Sequence, residues 1–329
     1  MNRKDDHIRY ALAQPQKESP FSAIRLSYEA LPSFNVNDIN TDVSIFGTTF
    51  PYPIFINAMT GGSKNAKKIN ERLAMLANAF NLPMALGSAS TLFENPEMVE
   101  TFSIVKTVNP EGFLIANLGA HHPIENVEKV IQILQPDAFE YHLNVAQELA
   151  MPEGDRHFAS WSKNIQIAAK TLKIPFIVKE VGFGMNEHTM KRLHQWGVQY
   201  INVGGKGGTN FAWIENQRRT VPLQGLDDVG YSTPESLLRG KAITPLTLIA
   251  SGGIQTPMEV VKSLVLGAKM VGMSRYFLRL VTENSHEDAV ALLQTFIEEI
   301  KAIMVTLNVN TIDKLPEVDY HIEGGLWIR

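Results

Sequence analysis

The feature of this sequence that most constrains its fold is a regular alternation of short apolar runs with amphipathic segments. A run of five or six mostly apolar residues is typical of a buried strand. Between the runs, apolar residues recur every three or four positions, as in 69–80 and 258–265, which places one apolar stripe on a helix. The runs lie at 54–58, 84–88, 113–117, 139–143, 176–180, 200–204, 246–251 and 270–274.

Eight predicted strands alternating with helices indicate an α/β fold, and a long amphipathic stretch at 289–307 follows the last strand. The chain of 329 residues is somewhat longer than a barrel of about 250 residues, so we predict a (β/α)8 TIM barrel with an extension. We find no linker and expect one TIM-barrel domain over 1–329. An open doubly wound sheet is the alternative, but its ligand would sit at a single switch point.

The first 50 residues lack the alternation and form a predicted loop-rich extension. They open with the charged segment Arg3-Lys4-Asp5-Asp6-His7. A solvated tail is one interpretation of this segment. The other is that the extension, 1–50, closes over the active site and brings its cations to a ligand.

Composition limits the partners of the chain. A net charge of −4 and a pI near 6.2 provide no basic surface for nucleic acid or an anionic membrane, so any phosphate site must be local. No apolar run reaches the roughly 18 residues of a membrane span. The absence of cysteine excludes disulfides, thiolate metal ligands and cysteine catalysis. We therefore expect a cytoplasmic enzyme that acts on a small molecule.

Most of the predicted strands end in polar or glycine-rich segments, and in such a barrel the carboxyl ends of the strands carry the chemistry. The segments after the seventh and eighth runs, 251–253 and 272–275, lie where this fold commonly binds phosphate through backbone N–H groups and a helix N-terminus. They predict a phosphate-bearing cofactor, with ordinary turn glycines as the alternative. The other segments are 57–62, Ser88, Asn117, 142–144, 179–180 and 204–209.

Polar side chains are most concentrated in 141–154. His142, Asn144, Gln147 and Glu148 fall within seven positions at the predicted inner end of a strand. Such a cluster is costly to bury unless it binds a ligand. The alternative is a core histidine, an asparagine helix cap and a solvated first helical turn.

Lys179 ends a strand at an inward-facing position. An unpaired ammonium in a barrel mouth is unfavourable, so Lys179 should meet an anion. That anion is Glu180 or another carboxylate, or a ring that becomes anionic on reduction, such as a flavin.

Taken in chain order, these motifs resemble those of the type 2 isopentenyl-diphosphate isomerases. The most specific are Arg3-Lys4-x-x-His7 and Gln147-Glu148 followed by Met-Pro-Glu-Gly at 151–154. Ser-Gly-Gly at 251–253 is shared by many flavin barrels. The remaining matches are 56–62, 87–88, 144–146, 179–184, 205–209, 214–216 and 272–275.

The resemblance implies an FMN-dependent, Mg²⁺-requiring enzyme that interconverts isopentenyl and dimethylallyl diphosphates. It implies that only reduced FMN is active, with NADPH as the reductant, and that the chain forms a homo-oligomer, a tetramer or octamer. Carried over by position, it assigns the diphosphate substrate to Arg3, Lys4, His7, His142, Asn144 and Gln147, and the metal to Glu148. It assigns FMN to Ala58, Met59, Thr60, Ser88, Asn117, Lys179, Thr209, Gly252, Gly253, Ser274 and Arg275.

The sequence departs from the family pattern at two places. Gly204 stands where many relatives have serine, so a flavin contact there would come from backbone. Val229-Gly230 stands where relatives often have Trp-Gly at the wall of the prenyl pocket.

Moving an isoprenoid double bond requires one proton to be added and another removed beside an apolar pocket. Because Gln147 is an amide and does not titrate near neutral pH, reduced flavin is the predicted proton carrier. Gln147 would then position or relay the proton and Lys179 would stabilise anionic reduced flavin, which makes these two the predicted catalytic residues. The alternatives are an FMN-dependent oxidoreductase of the 2-hydroxy-acid or dihydroorotate type and a non-catalytic flavin-binding redox sensor.

Overall fold

We describe residues 3–15, 18–243 and 245–323 of a computed structural model of the protein. The side chains of Arg3 and Lys4, which the resemblance assigns to the substrate, lie outside the described part.

The strands are β1 (Ile24–Leu26), β2 (Val43–Ile45), β3 (Thr48–Phe50), β4 (Ile54–Ile56), β5 (Met84–Ala85), β6 (Leu114–Gly119), β7 (Ala138–Leu143), β8 (Phe176–Glu180), β9 (Tyr200–Asn202), β10 (Thr247–Ser251), β11 (Ala268–Met273) and β12 (Tyr320–Ile322).

The helices surround the barrel and include a short α-helix after several of its strands. They are α1 (Arg3–Ala13), α2 (Lys64–Phe80), α3 (Thr91–Glu94), α4 (Glu100–Val108), α5 (Ile124–Leu134), α6 (Val145–Ala150), α7 (Ala159–Thr171), α8 (Glu187–Gln195), α9 (Phe211–Asn216), α10 (Thr233–Gly240), α11 (Pro257–Val265), α12 (Arg275–Glu283) and α13 (His286–Thr306). Short 3₁₀ turns lie at Val36–Asp38, Pro96–Val99, Gln224–Asp227 and Ile312–Glu317.

The strands β4 to β11 form a closed barrel of parallel strands in the order β10-β11-β4-β5-β6-β7-β8-β9. Each contains part of one predicted apolar run, so the predicted (β/α)8 barrel is confirmed and the open doubly wound sheet is wrong. The outer residues of the strands are buried under the helices, which is why these runs are apolar on both faces.

The apolar stripe of a helical segment determines which face is buried, and its capping residue determines where the helix begins. In α2, the stripe contains Leu73 and Leu76, and Ser63 caps the first turn by accepting a hydrogen bond from the Ala66 N–H at 3.1 Å. The predicted stretch at 289–307 becomes α13, which begins at His286 behind its cap Ser285 and ends at Thr306.

The predicted loop-rich region before the barrel contains ordered structure. The hairpin β2–β3 packs into the amino-terminal end of the barrel, where Phe46 stacks on Phe113 with ring centroids 5.7 Å apart and Phe50 meets the same ring at 5.2 Å. A β-strand pair, β1 with β12, joins this region to the end of the described chain. The hairpin therefore closes the end of the barrel opposite the predicted chemistry.

The helix α1 lies at the other end, against α9 and α12. His7 meets the ring of Phe211 edge-on at 5.8 Å, and Tyr10 meets Trp213 at 6.4 Å. The solvated-tail interpretation is therefore wrong for the described part of this segment. Within the described residues, no helix is both long enough and apolar enough to cross a membrane.

Candidate active site

A cavity of about 560 Å³ opens at the carboxyl ends of the barrel strands. Residues at the end of each barrel strand line it, from Asn57 after β4 to Gly272 in β11. His7, Ile8 and Ala11 of α1 form part of the same lining. The site therefore combines the barrel mouth with the N-terminal helix.

The residues that the resemblance assigns to FMN all line this cavity. The structure does not test their individual roles, so these stay predictions. They are Ala58, Met59, Thr60, Ser88, Asn117, Lys179, Thr209, Gly252, Gly253, Ser274 and Arg275.

Backbone packs directly on backbone in the loops after β8, β9 and β10. A Cβ at Gly252, where φ is +97°, would lie 2.0 Å from the carbonyl oxygen of Gly205. At Gly204, where φ is +48°, it would lie 1.9 Å from the carbonyl oxygen of Glu180. Only glycine fits either position in this structure, so any ligand contact from Gly204 comes from its backbone.

Three residues that line the cavity have a buried polar atom with no hydrogen-bond partner within the described structure. These atoms are the Oγ1 of Thr60, the Oδ1 of Asn144 and the Nε of Arg275. Arg275 begins α12 directly after Ser274, and its Nη2 donates to Oε1 of Gln14 at 3.3 Å. A half-buried guanidinium with an unused, buried N–H at a helix N-terminus suits a phosphate. This donor set therefore fits the phosphate of FMN.

A layer of polar side chains from the barrel strands forms the floor of the cavity. The Nδ2 of Asn202 donates to Oδ1 of Asn57 at 3.3 Å, and the Oγ of Ser251 donates to Oδ1 of Asn202 at 2.6 Å. Burying so many polar groups is costly unless they bond to one another or support a ligand. Asn57 and Ser251 also line the cavity beside the predicted flavin residues, which fits the second purpose as well as the first.

Lys179 belongs to this layer and is 5% exposed. Its Nζ donates to the backbone oxygen of Glu180 at 3.1 Å. Burial lowers the pKa of Lys179, and the carboxylates of Glu140 and Glu180 oppose this. Lys179 thus lies near the carboxyl groups predicted as its partners, although its hydrogen bond goes to a carbonyl group.

The two carboxyl groups near Lys179 are themselves fully buried. Burial raises the pKa of Glu140 to about 7, against the charge of Lys179 and a hydrogen bond from Asn117. Burial raises the pKa of Glu180 to about 8, although the N–H of Phe183 donates to its Oε2 at 2.5 Å. The charge in this part of the barrel therefore depends on the protonation of three neighbouring groups, the ammonium of Lys179 and the carboxyl groups of Glu140 and Glu180.

The predicted substrate and metal residues at the end of β7 and in α6 also line the cavity. The Nδ2 of Asn144 donates to Oε1 of Glu148 at 2.8 Å and to Oε1 of Gln147 at 3.2 Å. The N–H of Asp155 donates to Oε2 of Glu148 at 2.7 Å. Glu148 is 8% exposed. Asn144 is the N-cap residue of α6, as in the alternative interpretation, although its side chain makes no capping hydrogen bond. The solvated first turn of that interpretation is wrong, because Glu148 is buried.

The chemistry of Glu148 suits Mg²⁺, a hard cation that prefers carboxylate oxygens. In the described part of the chain, no group of three or more histidine, cysteine, aspartate or glutamate side chains could hold a metal ion. One carboxylate fits a magnesium ion that takes its other ligands from substrate phosphates and water.

Glu215 on α9 was not predicted as a site residue, although 214–216 carries part of the resemblance. The Nε2–H of His7 donates to its Oε1 at 2.8 Å, the Nε2 of Gln147 donates to the same atom at 3.4 Å, and Arg218 pairs with its Oε2. Burial would raise the pKa of Glu215, but His7 and Arg218 outweigh it and the pKa lies below its usual range.

Sequence reasoning also missed two histidines after β6. His121 and His122 line the cavity, with their rings 4.1 Å apart. The Oγ of Ser90 lies 2.8 Å from Nε2 of His122. Burial and the neighbouring His121 lower the pKa of His122 to about 4. The two successive histidines shortly after the predicted strand at 113–117 were the available sequence signal.

Val229, which stands where relatives often have tryptophan, is 41% exposed and is not among the residues that line the cavity. Apolar lining comes instead from Ile8, Met151 and Phe211, among others. The structure thus supplies an apolar wall from other elements.

The family model for FMN-dependent dehydrogenases matches residues 116–321. Isopentenyl-diphosphate delta-isomerase of Staphylococcus aureus strain JH9 is 45% identical over 318 residues, covering 96% of this chain and 91% of the relative. The protein of the same name from strain Newman is 44% identical with the same coverage.

Solved structures with the same fold include a flavocytochrome b2 variant with sulfite bound and a mandelate oxidase variant. The first has a TM-score of 0.70 and 17% identity, covering 98% of this chain and 85% of that chain. The second has a TM-score of 0.66 and 14% identity, covering 98% and 91%. These two likenesses show the fold alone. From the identity to the S. aureus proteins, the chain belongs to the isopentenyl-diphosphate delta-isomerase family, on a barrel of the FMN-dependent dehydrogenase type.

Proposed function

We propose that this protein interconverts isopentenyl diphosphate and dimethylallyl diphosphate in isoprenoid biosynthesis, with FMN bound in the barrel mouth. The observation that carries the proposal is the meeting of His7, Gln147 and Glu215 at one side of the cavity. It joins the most specific sequence motifs of the family, which lie far apart in the chain, in a single site.

FMN would be held by the glycine-rich loops and by the N-terminus of α12. Ser274 and Arg275 would bind its phosphate, because Arg275 has an unused buried N–H there. Lys179 lines the same cavity and would favour the anionic reduced form of FMN, since an ammonium stabilises a nearby negative charge. When bound, reduced FMN would supply the proton carrier for the double-bond shift.

Gln147 would orient the substrate or the transferred proton without titrating itself. Its Nε2 donates to Glu215, which fixes the direction of the amide. Glu215 retains its charge because its pKa is lowered by His7 and Arg218 despite burial. Ile8, Met151 and Phe211 would surround the isoprenoid chain and keep water from a cation-like transition state.

The diphosphate would be bound by cations and amide groups at the rim. Mg²⁺ on Glu148 would provide one positive charge, and His142 and Asn144 would add hydrogen bonds. Arg3, Lys4 and His7 would approach from α1 as the N-terminal extension closes over the mouth of the single TIM-barrel domain. A homo-oligomer, NADPH as reductant and a cytoplasmic location remain predictions from the sequence.

Product analysis tests the proposal. The purified protein is incubated under anaerobic conditions with FMN, Mg²⁺, a reductant and isopentenyl diphosphate, and dimethylallyl diphosphate is measured by mass spectrometry after separation of the isomers. We expect conversion that needs both reductant and Mg²⁺. Absence of dimethylallyl diphosphate with FMN bound and reduced would contradict the proposal.

A further inference from the structure

A chain of hydrogen bonds runs inside the barrel from Glu140 to His142. The Nδ2 of Asn117 donates to Oε1 of Glu140 at 2.6 Å, and Oδ1 of Asn117 lies 2.7 Å from Nδ1 of His142. Glu140 is 1% exposed, whereas His142 lines the cavity. The chain therefore links the closed interior of the barrel to the substrate side of the site.

The chemistry of Glu140, Asn117 and His142 determines which group donates and which accepts in each of these hydrogen bonds. Above its pKa of about 7, Glu140 is an ionised carboxylate that only accepts hydrogen bonds, so Asn117 must turn its NH₂ toward Glu140 and its oxygen toward His142. An amide oxygen also only accepts, so Nδ1 of His142 must carry a proton. The ring nitrogen whose protonation can change is then Nε2.

We propose that Glu140 is a positioning residue that acts through Asn117 to fix His142 in the Nδ1–H tautomer. The inference rests on the proposed function, which places His142 at the diphosphate. With Nδ1–H held by an amide oxygen, the ring can take up a second proton on Nε2 and keep its bond to Asn117. Such an imidazolium binds a diphosphate more tightly than a neutral ring, because its hydrogen bond is charge-assisted.

An amide at position 140 should reverse the donor and acceptor roles in the hydrogen bonds from residue 140 to Asn117 and His142, without moving the three side chains. The positive charge acting on Glu140 is that of Lys179, and its second oxygen, Oε2, has no hydrogen-bond partner among the described residues. In Glu140→Gln, the ammonium would attract the amide oxygen and leave the NH₂ facing Asn117. Asn117 would then accept from residue 140 and donate to His142, which would carry its proton on Nε2.

Glu180 provides a matched control. Its carboxylate is also buried and also acts on Lys179, but its Oε2 accepts from the N–H of Phe183 and lies outside the chain. Glu180→Gln therefore replaces the other buried carboxyl group near the same lysine and leaves the hydrogen bonds of Asn117 in place.

The test uses the full-length protein with oxidised FMN bound and its histidines labelled with ¹⁵N. The signals of His142 are identified by their loss in His142→Gln. The spectra are recorded above the pKa of Glu140, which is about 7, and at a pH where the ring of His142 is neutral. We expect the Nδ1–H tautomer in the unmodified protein and in Glu180→Gln, and the Nε2–H tautomer in Glu140→Gln. FMN affinity and the melting temperature of each variant check that it folds.

Kinetics with isopentenyl diphosphate add a second measurement. Glu140→Gln should raise KM severalfold with a smaller change in kcat, because the reversed chain disfavours the imidazolium. An Nε2–H tautomer in the unmodified protein, or an Nδ1–H tautomer in Glu140→Gln, would overturn the inference, as would an unchanged KM after a reversal. A protein with the expected tautomers but no isomerase activity would refute the proposed function instead.

Discussion

The Nε2–H of His7 donates to Oε1 of Glu215 at 2.8 Å and joins two helices that are 208 residues apart in the chain. The side chain of Glu215 is fully buried, so this bond provides a partner for a charge that is removed from water. Because Gln147 donates to the same oxygen atom, α1, α6 and α9 meet at one point of the cavity.

His7→Ala should weaken both folding and substrate binding. Loss of a hydrogen bond to a buried charge costs about 1.5–3 kcal/mol, so we expect a lower melting temperature and a higher KM for the diphosphate. Differential scanning calorimetry and steady-state kinetics measure these effects. His188→Ala, at an exposed position on α8, is the control and should change neither. An unchanged KM would return α1 to a purely structural role.

Glu215 should also make the free energy of unfolding depend on pH in the acid range. Because its folded pKa is lowered, it contributes stability that is fully present above the unfolded pKa of about 4.3 and is lost as the pH falls through the folded value. The unfolding free energy of Glu215→Gln should therefore fall less steeply with acid than that of the unmodified protein. Urea unfolding at a series of pH values measures the two slopes, and equal slopes would contradict the assignment.

Arg275→Ala should weaken FMN binding much more than riboflavin binding, because only FMN carries the phosphate. Loss of a charge-assisted contact costs about 1.5–3 kcal/mol, or roughly 10- to 100-fold in affinity. Fluorescence titration with both flavins measures the difference. Arg279→Ala on the same helix, at a more exposed position, should leave both affinities nearly unchanged. Equal losses for FMN and riboflavin would remove the phosphate site from α12.

Lys179→Met should lower affinity for reduced FMN more than for oxidised FMN, which makes the reduction potential of the bound flavin more negative. The physical reason is the loss of a positive charge from the barrel interior, where screening by water is weak. Spectroelectrochemical titration measures the potential. Lys173→Met, at an exposed position before β8, should have no effect. A potential that stays constant in Lys179→Met would separate this lysine from the flavin.

Gln147→Ala and Glu148→Gln should respond differently to magnesium. Gln147→Ala should lower kcat by about 10²-fold or more, and added Mg²⁺ should not restore it. Glu148→Gln should act by weakening Mg²⁺ binding, since an amide lacks the charge of a carboxylate. Initial rates over a range of Mg²⁺ concentrations test this, and rescue of both variants would refute the division of roles.

The barrel could be predicted from sequence because its strands are buried on both faces and therefore appear as continuous apolar runs. One site residue, at the end of β8, could also be predicted from the sequence. Lys179 was recognisable because an ammonium at an inward position in an apolar strand requires a partner.

Glu140 and Glu215 show what could not be predicted. Alternation in β7 places Glu140 and His142 on one face, but local sequence does not reveal that this face is the barrel interior. Glu215 depends on His7, and a contact between such distant residues arises only when the barrel closes and α1 folds over it.

The central claim is that this barrel uses bound flavin for isomerisation without net electron transfer. The most direct measurement is the number of dimethylallyl diphosphate molecules formed per FMN after a single pulse of reductant, which is then removed under anaerobic conditions. We predict many product molecules per FMN, with an absorption spectrum that stays that of reduced flavin throughout. A dehydrogenase would stop after one equivalent, so one product or fewer per FMN with a matching change in flavin oxidation state would contradict the account.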